Sequence, residues 1–180
     1  LEEVGYPDAA ERVAVAPGCD VADEAQLCAL VERTVARFGT VDYLLNNAGI
    51  AGAEEMVLDM PLDGWRHTLT ANLVSNYSLI RKLAPLMKQQ GGGYILNVSS
   101  YFGGEKYAAI AYPNRADYAV SKAGQRALAE VLARFLGPEV QINALAPGPV
   151  EGDRLRGTGE RPGLFMRRAR LILENKRLNE

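Results

Sequence analysis

The sequence predicts an α/β fold, a doubly wound parallel sheet with helices on both faces. Strand-like and helix-like segments alternate four times along the 180 residues, and this alternation is typical of parallel strands joined by right-handed crossovers. Polar or flexible residues follow the strand-like segments, at Asp20 and at residues 46–49, 99–100 and 147–148. Ligands of such sheets bind beyond the carboxyl ends of the strands, so we expect the functional site there.

The first half of the chain contains two of these strand–helix units. A short strand is predicted over residues 12–18, because β-branched residues there end at a Pro-Gly break. Apolar residues then recur at steps of three and four, which predicts an amphipathic helix that Gly39 ends. A second strand is predicted over residues 41–45. The long helix after it, over residues 62–87, is expected to kink or end early at Pro85.

The second half contains two further strands. One is predicted over residues 94–98, after a glycine-rich turn, and the other over residues 140–145. An alanine-rich helix over residues 116–136 lies between them and stops at Gly137. A last helix is predicted over residues 164–178.

Composition and charge exclude several classes of protein. Hydrophobic residues make up 48% and charged residues 23%, as in ordinary globular domains. A net charge of −2 predicts binding neither to nucleic acid nor to an anionic membrane. No apolar run approaches the ~20 residues that span a bilayer, and no signal-peptide pattern is visible, so we expect a cytoplasmic protein. One histidine and two cysteines without zinc spacing predict no metal site.

Charge is unevenly distributed along the chain. Residues 151–180 contain eight Lys and Arg against five Asp and Glu, whereas the first 150 residues contain twelve against seventeen. This asymmetry indicates that residues 151–180 face something anionic.

Tyr118 and Lys122 are the first candidates for chemistry. Their spacing is Y-x-x-x-K within the predicted helix over residues 116–136, so both side chains lie on one helix face. A free tyrosine has a pKa of about 10, and a nearby ammonium favours the phenolate form. A tyrosine beside a lysine can therefore exchange protons with a substrate, although the same pattern also occurs on solvated helix surfaces.

Two other groups of residues follow predicted strands directly. Ser99 and Ser100 come after residues 94–98, where a hydroxyl can donate a hydrogen bond to a substrate carbonyl. The sequence N-N-A-G at residues 46–49 follows residues 41–45, and small residues there let a ligand approach the backbone. Each group taken alone is also compatible with an ordinary turn.

Taken together and in this order, these motifs resemble the short-chain dehydrogenase/reductase family. The order is Asp-Val after one strand, N-N-A-G after the next, Asn72 in the following helix, Ser-Ser, Y-x-x-x-K and Pro-Gly. The resemblance implies a Rossmann-like fold and a nicotinamide cofactor, with residues 1–150 as a partial dinucleotide-binding core and residues 151–180 as a basic helical lid over the substrate in the same domain. It also implies that Tyr118 is the acid/base, that Lys122 binds the ribose and tunes the tyrosine, that Ser100 holds the carbonyl oxygen, and that Asn72 completes a water relay.

The same resemblance implies a set of cofactor-binding residues around the strand ends. They are Asp20, Val21, Asn47, Ala48, Gly49, Tyr118, Lys122, Pro147, Gly148 and Val150. Two departures from the family pattern stand out. The family's glycine-rich loop is absent, so its first strand–helix units are expected to be missing from this chain, and NAD cannot be distinguished from NADP by that loop. Ser100 and Tyr118 are also eighteen residues apart, so the loop between them is enlarged.

A closer resemblance is to the C-terminal half of the bacterial bifunctional malonyl-CoA reductases. It is carried by GEK at residues 104–106, YPNRADY at residues 112–118, and PGPVEGDRLRGTGERPGLF at residues 147–165. It implies NADPH-dependent reduction of malonyl-CoA to malonate semialdehyde and CoA, within a large, dimeric chain of several modules that serves the 3-hydroxypropionate route of carbon fixation. Arg115, Arg154, Arg156 and Arg161 become candidates for binding the anionic substrate.

Two alternatives remain open at this stage. The chain is compatible with an NADP-dependent reductase of ketones or 3-oxoacyl thioesters, and also with a non-catalytic scaffold module. The two cysteines, Cys19 and Cys28, are expected far from Tyr118, so we expect direct hydride transfer to the thioester rather than a cysteine-bound intermediate.

Overall fold

The strands form one parallel sheet whose carboxyl ends meet at a common edge. A computed structural model of the chain describes residues 9–104 and 113–148. Within them the strands are β1 (Tyr43–Asn46), β2 (Gly93–Val98) and β3 (Val140–Leu145), in the order β1-β2-β3. Asn46 pairs with Asn97, and Val98 pairs with Leu145. The polar residues that follow β1 and β2 therefore share one edge of the sheet, as the sequence predicted.

Five α-helices alternate with these strands in the described residues. They are α1 (Ala9–Arg12), α2 (Glu24–Phe38), α3 (Leu62–Leu69), α4 (Ser75–Gln89) and α5 (Ala116–Leu136). A π-helical segment, Thr70–Val74, joins α3 to α4, and short 3₁₀ turns cover Tyr101–Gly103 and Pro113–Arg115. The parallel sheet with interleaved helices confirms the predicted α/β fold.

The hydrophobic core lies between one face of the sheet and helices α4 and α5. Met87 of α4 packs there with Ile95 of β2 and Val140 of β3, and all three are 0% exposed. Val31 brings α2 against the same cluster. This packing fixes α5 across the sheet, and α5 carries most of the candidate site.

The predicted strand over residues 12–18 is wrong. Helix α1 ends at Arg12, and no strand forms between it and α2. Val15 in this segment is 70% exposed. A strand is stabilised by its neighbours, and no described strand lies beside this segment, so local β propensity alone does not produce one.

The predicted helix over residues 62–87 is correct in extent but not in regularity. The π-helical segment interrupts it, and the expectation that Pro85 would end it early is wrong, because α4 continues to Gln89. The buried side chains of Ile80 and Leu83 on α4 hold that helix against the sheet despite the hydrogen bond that a proline removes. The predicted helix over residues 164–178 and the predicted basic segment over residues 151–180 lie outside the described residues.

The opposite face of the sheet is exposed in the described part of the chain. Tyr43 is 79% exposed, and Leu45, which points to the same face of β1, is 61% exposed. No helix in residues 9–104 and 113–148 has the length and apolar composition needed to cross a membrane. An open apolar sheet face favours self-association when it lies beside an edge strand such as β1, which pairs only with β2 in residues 9–104 and 113–148.

We predict that residues 1–180, expressed alone, self-associate through this face. Replacing Tyr43 and Leu45 by lysine should shift the population towards monomer in light scattering at fixed salt, because edge charges oppose strand pairing. Leu58→Lys is the control, since Leu58 is 94% exposed and lies outside the sheet. A monodisperse wild-type fragment with a cooperative thermal transition would contradict the prediction.

Candidate active site

The serine pair after β2 has two different functions in the structure. Ser99 Oγ donates to the backbone oxygen of Lys122 at 2.6 Å, and the Ser99 N–H donates to Leu145 O at 2.7 Å. Ser99 therefore joins β2, β3 and α5. Ser100 begins the 3₁₀ turn that follows, where its hydroxyl oxygen accepts from the Phe102 N–H at 3.3 Å. Ser99 thus holds the fold together, whereas Ser100 caps the turn that follows β2.

Tyr118 and Lys122 lie one turn apart on α5, as their spacing predicted. The Lys122 ammonium lies 5.7 Å from the centroid of the Tyr118 ring and donates to Val98 O at 2.8 Å. Lys122 is 5% exposed, whereas Tyr118 is half-buried. The lysine is therefore drawn under the carboxyl end of β2, with its charge beside the phenol.

The turn after Ser100 packs on this part of α5. The Phe102 ring meets the Tyr118 ring edge-on, with 5.8 Å between centroids. Gly103 lies so close to the backbone of Lys122 and Ala123 that a Cβ atom would collide with it. This contact brings Ser100 to the same end of the sheet as Tyr118 and Lys122.

Asn72 connects the N-N-A-G loop to α5. Its side chain accepts from the Ile50 N–H at 2.7 Å and donates to Ile50 O at 3.1 Å and to Ser121 Oγ at 3.0 Å. Asn72 is 0% exposed and lies in the π-helical segment, a rare form that is frequent at functional sites. Its side chain therefore holds the loop after β1, which places Gly49 against both Asn72 and Lys122.

Asp117 is a buried residue of the site that the sequence analysis missed. Its carboxylate accepts hydrogen bonds from Thr68 Oγ1 at 2.7 Å, from the Ala53 N–H at 2.9 Å and from the Tyr118 N–H at 2.7 Å. Gly52 presses against the carboxylate with φ of +89°. Asp117 thus ties α3 and the loop after β1 to the first turn of α5. Its position directly before Tyr118 was the available signal.

Arg115 lies at the start of α5 and is 5% exposed. Its guanidinium forms an ion pair with Glu54 and lies over the Tyr118 ring, 4.8 Å from the centroid. Glu54 has a backbone φ of +58°, unusual for a residue with a side chain. The arginine that the sequence analysis selected for substrate binding therefore contacts the tyrosine ring and already holds a carboxylate.

The other predicted site residues are distributed around this edge or lie outside the described residues. Asp20, Asn47, Ala48 and Gly148 are exposed, while Val21, Gly49 and Pro147 are half-buried. Pro147 O accepts from the Tyr101 N–H at 3.1 Å. Val150, Arg154, Arg156 and Arg161 lie outside the described residues. The described part of the chain holds no cluster of His, Cys, Asp and Glu that could bind a metal ion.

The known proteins that this chain is similar to are reductases and dehydrogenases. Residues 7–176 match the sequence profile of a family described as enoyl-(acyl carrier protein) reductase. A crystal structure of the C-domain of a bacterial malonyl-CoA reductase with NADP is 65% identical, with a TM-score of 0.83. The match covers 99% of this chain and 27% of that one.

Other relatives are dehydrogenases and reductases. The trans-4-hydroxycyclohexanecarboxylate dehydrogenase of Sinomonas cyclohexanicum is 37% identical over 79% of this chain and 54% of its own length. The 3-oxoacyl-[acyl-carrier-protein] reductase of Staphylococcus aureus is 34% identical over 74% of this chain and 52% of its own. The chain thus spans about half the length of these relatives.

Gly52→Ala should disrupt the contact with Asp117. Gly91 is the matched control, because its φ of +93° resembles that of Gly52 and nothing lies within 4 Å of an added Cβ atom. Both changes incur the cost of left-handed backbone, about 1–2 kcal/mol. Only Gly52→Ala also displaces a carboxylate from its buried donors, which should add about 1–3 kcal/mol.

The free energy of unfolding of the full-length protein, measured with denaturant, tests this difference. Equal losses for Gly52→Ala and Gly91→Ala would show that the contact with Asp117 contributes nothing.

Proposed function

The chain belongs to the short-chain dehydrogenase/reductase family, and we propose that it reduces malonyl-CoA to malonate semialdehyde and CoA with NADPH. One observation carries the proposal: Tyr118, with the Lys122 ammonium beside it, lies under the buried guanidinium of Arg115. A proton donor and a carboxylate-binding group are thus adjacent, and malonyl-CoA needs both. The 65% identity with the C-domain of a malonyl-CoA reductase supports the same substrate.

The residues at the carboxyl edge of the sheet fit a nicotinamide nucleotide. Gly49 lies where a Cβ atom would come within 2.9 Å of Asn72 Oδ1, so its lack of a side chain lets the loop after β1 pack directly against Asn72 and Lys122. Asn47 and Ala48 of the same loop are exposed, and Lys122 offers an ammonium to ribose hydroxyls. Asp20 provides an exposed carboxylate for the adenosine side. When bound, NADPH supplies the hydride.

Ser100 and Tyr118 hold the thioester oxygen in this proposal. Hydride adds to the thioester carbon, and the electron pair of the carbonyl moves to its oxygen, which both hydroxyls stabilise. Tyr118 can deliver a proton to that oxygen, and the positive charge of Lys122 favours the resulting phenolate. The hydroxyl of the resulting hemithioacetal then returns its proton to the Tyr118 phenolate as the carbonyl forms again and the carbon–sulfur bond breaks. The sulfur leaves with the electron pair of that bond and takes up a proton, so the products are the aldehyde and free CoA thiol.

Arg115 provides the specificity for a terminal carboxylate. The carboxylate of malonyl-CoA is separated from the thioester carbon by one methylene, so it must lie close to Tyr118. Arg115 already pairs with a carboxylate there, that of Glu54, and guanidinium groups bind carboxylates bidentately. We infer that the malonyl carboxylate replaces Glu54 on Arg115. Arg154 is the alternative to Arg115 for binding the malonyl carboxylate, and Arg156 and Arg161 are proposed to bind the phosphates of CoA.

A second candidate is reduction of a 3-oxoacyl thioester or ketone. The 34% identity with a 3-oxoacyl-[acyl-carrier-protein] reductase favours it. The two reactions differ in one product, because reducing a ketone leaves the thioester intact. Release of free thiol on addition of malonyl-CoA and NADPH therefore supports the proposed function, and NADPH oxidation without thiol release contradicts it. Absence of both activities in the full-length protein would favour the scaffold alternative.

The wider setting of the chain stays a prediction. We expect that the protein is a homodimer, that the chain is one of several modules of a larger chain, that it is cytoplasmic, and that it functions in carbon fixation.

Tyr118→Phe should abolish reduction and preserve nucleotide binding. The phenyl ring keeps the packing against Phe102 and loses only the hydroxyl, so kcat should fall about 10²–10⁴-fold while the Kd for NADPH, measured by fluorescence, stays within about twofold. Lys122→Ala should impair both quantities, because its ammonium is proposed to bind the ribose as well. Retention of a tenth or more of wild-type kcat by Tyr118→Phe would rule out the proton-transfer function.

Arg115→Met should raise KM for malonyl-CoA roughly tenfold or more, because it removes charge-assisted hydrogen bonds worth about 1.5–3 kcal/mol. KM for acetyl-CoA, which lacks the terminal carboxylate, should change little. Arg134→Met is the control, since it removes the same charge from the last turn of the same helix. Equal changes for the two substrates would show that Arg115 does not recognise the carboxylate.

A further inference from the structure

Gln125 is a fully buried polar residue at the centre of the site. It lies on α5 three residues after Lys122 and is 0% exposed. Its Oε1 accepts a hydrogen bond from Lys122 Nζ at 3.2 Å, and its Nε2 donates to the backbone oxygen of Asn72. One side-chain amide thus joins the ammonium beside Tyr118 to the π-helical segment.

The chemistry of the two partners fixes the orientation of this amide. An ammonium only donates hydrogen bonds, and a backbone carbonyl only accepts them. Rotating the Gln125 amide by half a turn would place its NH₂ group against the ammonium and its oxygen against the Asn72 carbonyl. Both contacts would be repulsive, so the amide is a polarised bridge with one defined direction.

This bridge restricts where the ammonium can lie. A lysine side chain has a long flexible stem, and a buried charge needs hydrogen-bond acceptors to compensate for lost water. Val98 O provides one acceptor at 2.8 Å from the end of β2, and Gln125 Oε1 provides another from α5. Two acceptors from different elements define the position of Nζ. A single acceptor would leave the lysine stem free to rotate about that one hydrogen bond.

The bridge also reaches the loop after β1. The Asn72 backbone is held by Gln125, and the Asn72 side chain holds both the N–H and the carbonyl of Ile50. A second bond ties Gln125 to the sheet, because Asn97 Nδ2 donates to its backbone oxygen at 3.3 Å. A displacement of Gln125 would therefore be transmitted to the ammonium and to the loop that contains Gly49.

We propose that Gln125 is a positioning residue: its side-chain amide holds the Lys122 ammonium at Tyr118 and ties it to Asn72. The inference rests on the proposed function in one respect, that Tyr118 and Lys122 carry the proton chemistry. Gln125 touches neither the substrate nor the reacting atoms in this account. It acts only through the lysine and the asparagine.

Gln125→Met in the full-length protein tests the proposal. Methionine has a similar length but an apolar side chain, so it fills the space of Gln125 without forming either hydrogen bond. Displacement of catalytic groups by about 1 Å costs roughly a hundredfold in rate, so we expect kcat for NADPH oxidation with malonyl-CoA to fall roughly tenfold to a hundredfold. The Kd for NADPH should also rise, since the ammonium no longer has a fixed position.

Ala129→Gly is the matched control for a structural effect. Ala129 is buried one turn further along α5 and has no polar side-chain atom, so this change destabilises the helix without touching the bridge. It should lower the melting temperature and leave kcat unchanged below the transition. A loss of kcat in Ala129→Gly as large as that in Gln125→Met would overturn the proposal, as would a Gln125→Met kcat within twofold of wild type.

Gln125→Glu provides a second measurement, which tests the positioning function of Gln125 even if Gln125→Met does not fold. A neutral carboxyl group has one acceptor and one donor, like the amide, whereas an ionised carboxylate directs a lone pair at the Asn72 carbonyl. The ratio of variant to wild-type kcat should therefore rise as the pH falls. A kcat for Gln125→Glu within twofold of wild type at every pH overturns the proposal.

Tyr118→Phe, assayed in parallel, distinguishes a failure of the proposed function from a failure of the positioning function of Gln125. An active Tyr118→Phe enzyme contradicts the proposed function itself. An inactive Tyr118→Phe enzyme together with a fully active Gln125→Met enzyme contradicts only the positioning function of Gln125.

Discussion

The buried ammonium of Lys122 is the constraint on which the rest of the site depends. Transferring a charge from water into a protein interior costs several kcal/mol unless oxygen atoms surround it. The end of β2 and helix α5 meet this requirement by exchanging hydrogen bonds, because Lys122 Nζ donates to Val98 O and Ser99 Oγ donates to Lys122 O. Helix α5 must therefore cross the sheet where β2 ends. Tyr118, one turn earlier, is carried to the carboxyl edge by the same geometry.

A buried group of opposite charge fixes the beginning of the same helix. The Asp117 carboxylate lies in the first turn of α5, where the helix dipole favours a negative charge, and N–H and O–H donors surround it. Asp117 orders the loop after β1, and Lys122 orders the end of β2. One rigid helix, α5, thus holds the ends of both strands, β1 and β2. Short polar loops then need no packing of their own to hold Gly49 and Ser100 in place.

Local sequence patterns were sufficient for some of the regular elements of this structure but not for all of them. Helix α5 and strand β3 have the predicted bounds, since alanine-rich composition, a Gly-Pro stop and alternating apolar residues are all local signals. The strand over residues 12–18 failed because strand formation depends on neighbours distant in the chain. The π-helical turn had no local signal, and Gln125 was overlooked although its i,i+3 relation to Lys122 puts both on one helix face. The position of Asp117 directly before Tyr118 was a local signal, but its function in joining α3 and the loop after β1 to α5 could not be read locally, because Thr68 and Ala53 are remote in sequence.

The contrast between the rigid helix α5 and the adjustable loop that carries Glu54 indicates where specificity for a substrate can arise. Tyr118 and Lys122 belong to the interior of α5, and Arg115 caps its beginning, so all three share one rigid body. Glu54 instead lies on a loop and has left-handed backbone, which costs a residue with a side chain about 1–2 kcal/mol. If a substrate carboxylate takes its place on Arg115, the loop can relax without moving the helix. Exchange of one carboxylate for another also keeps the buried guanidinium paired throughout, so recognition avoids the cost of an isolated buried charge. Substrate binding would then be coupled to the loop after β1, the same loop that Asn72 and Asp117 hold in place.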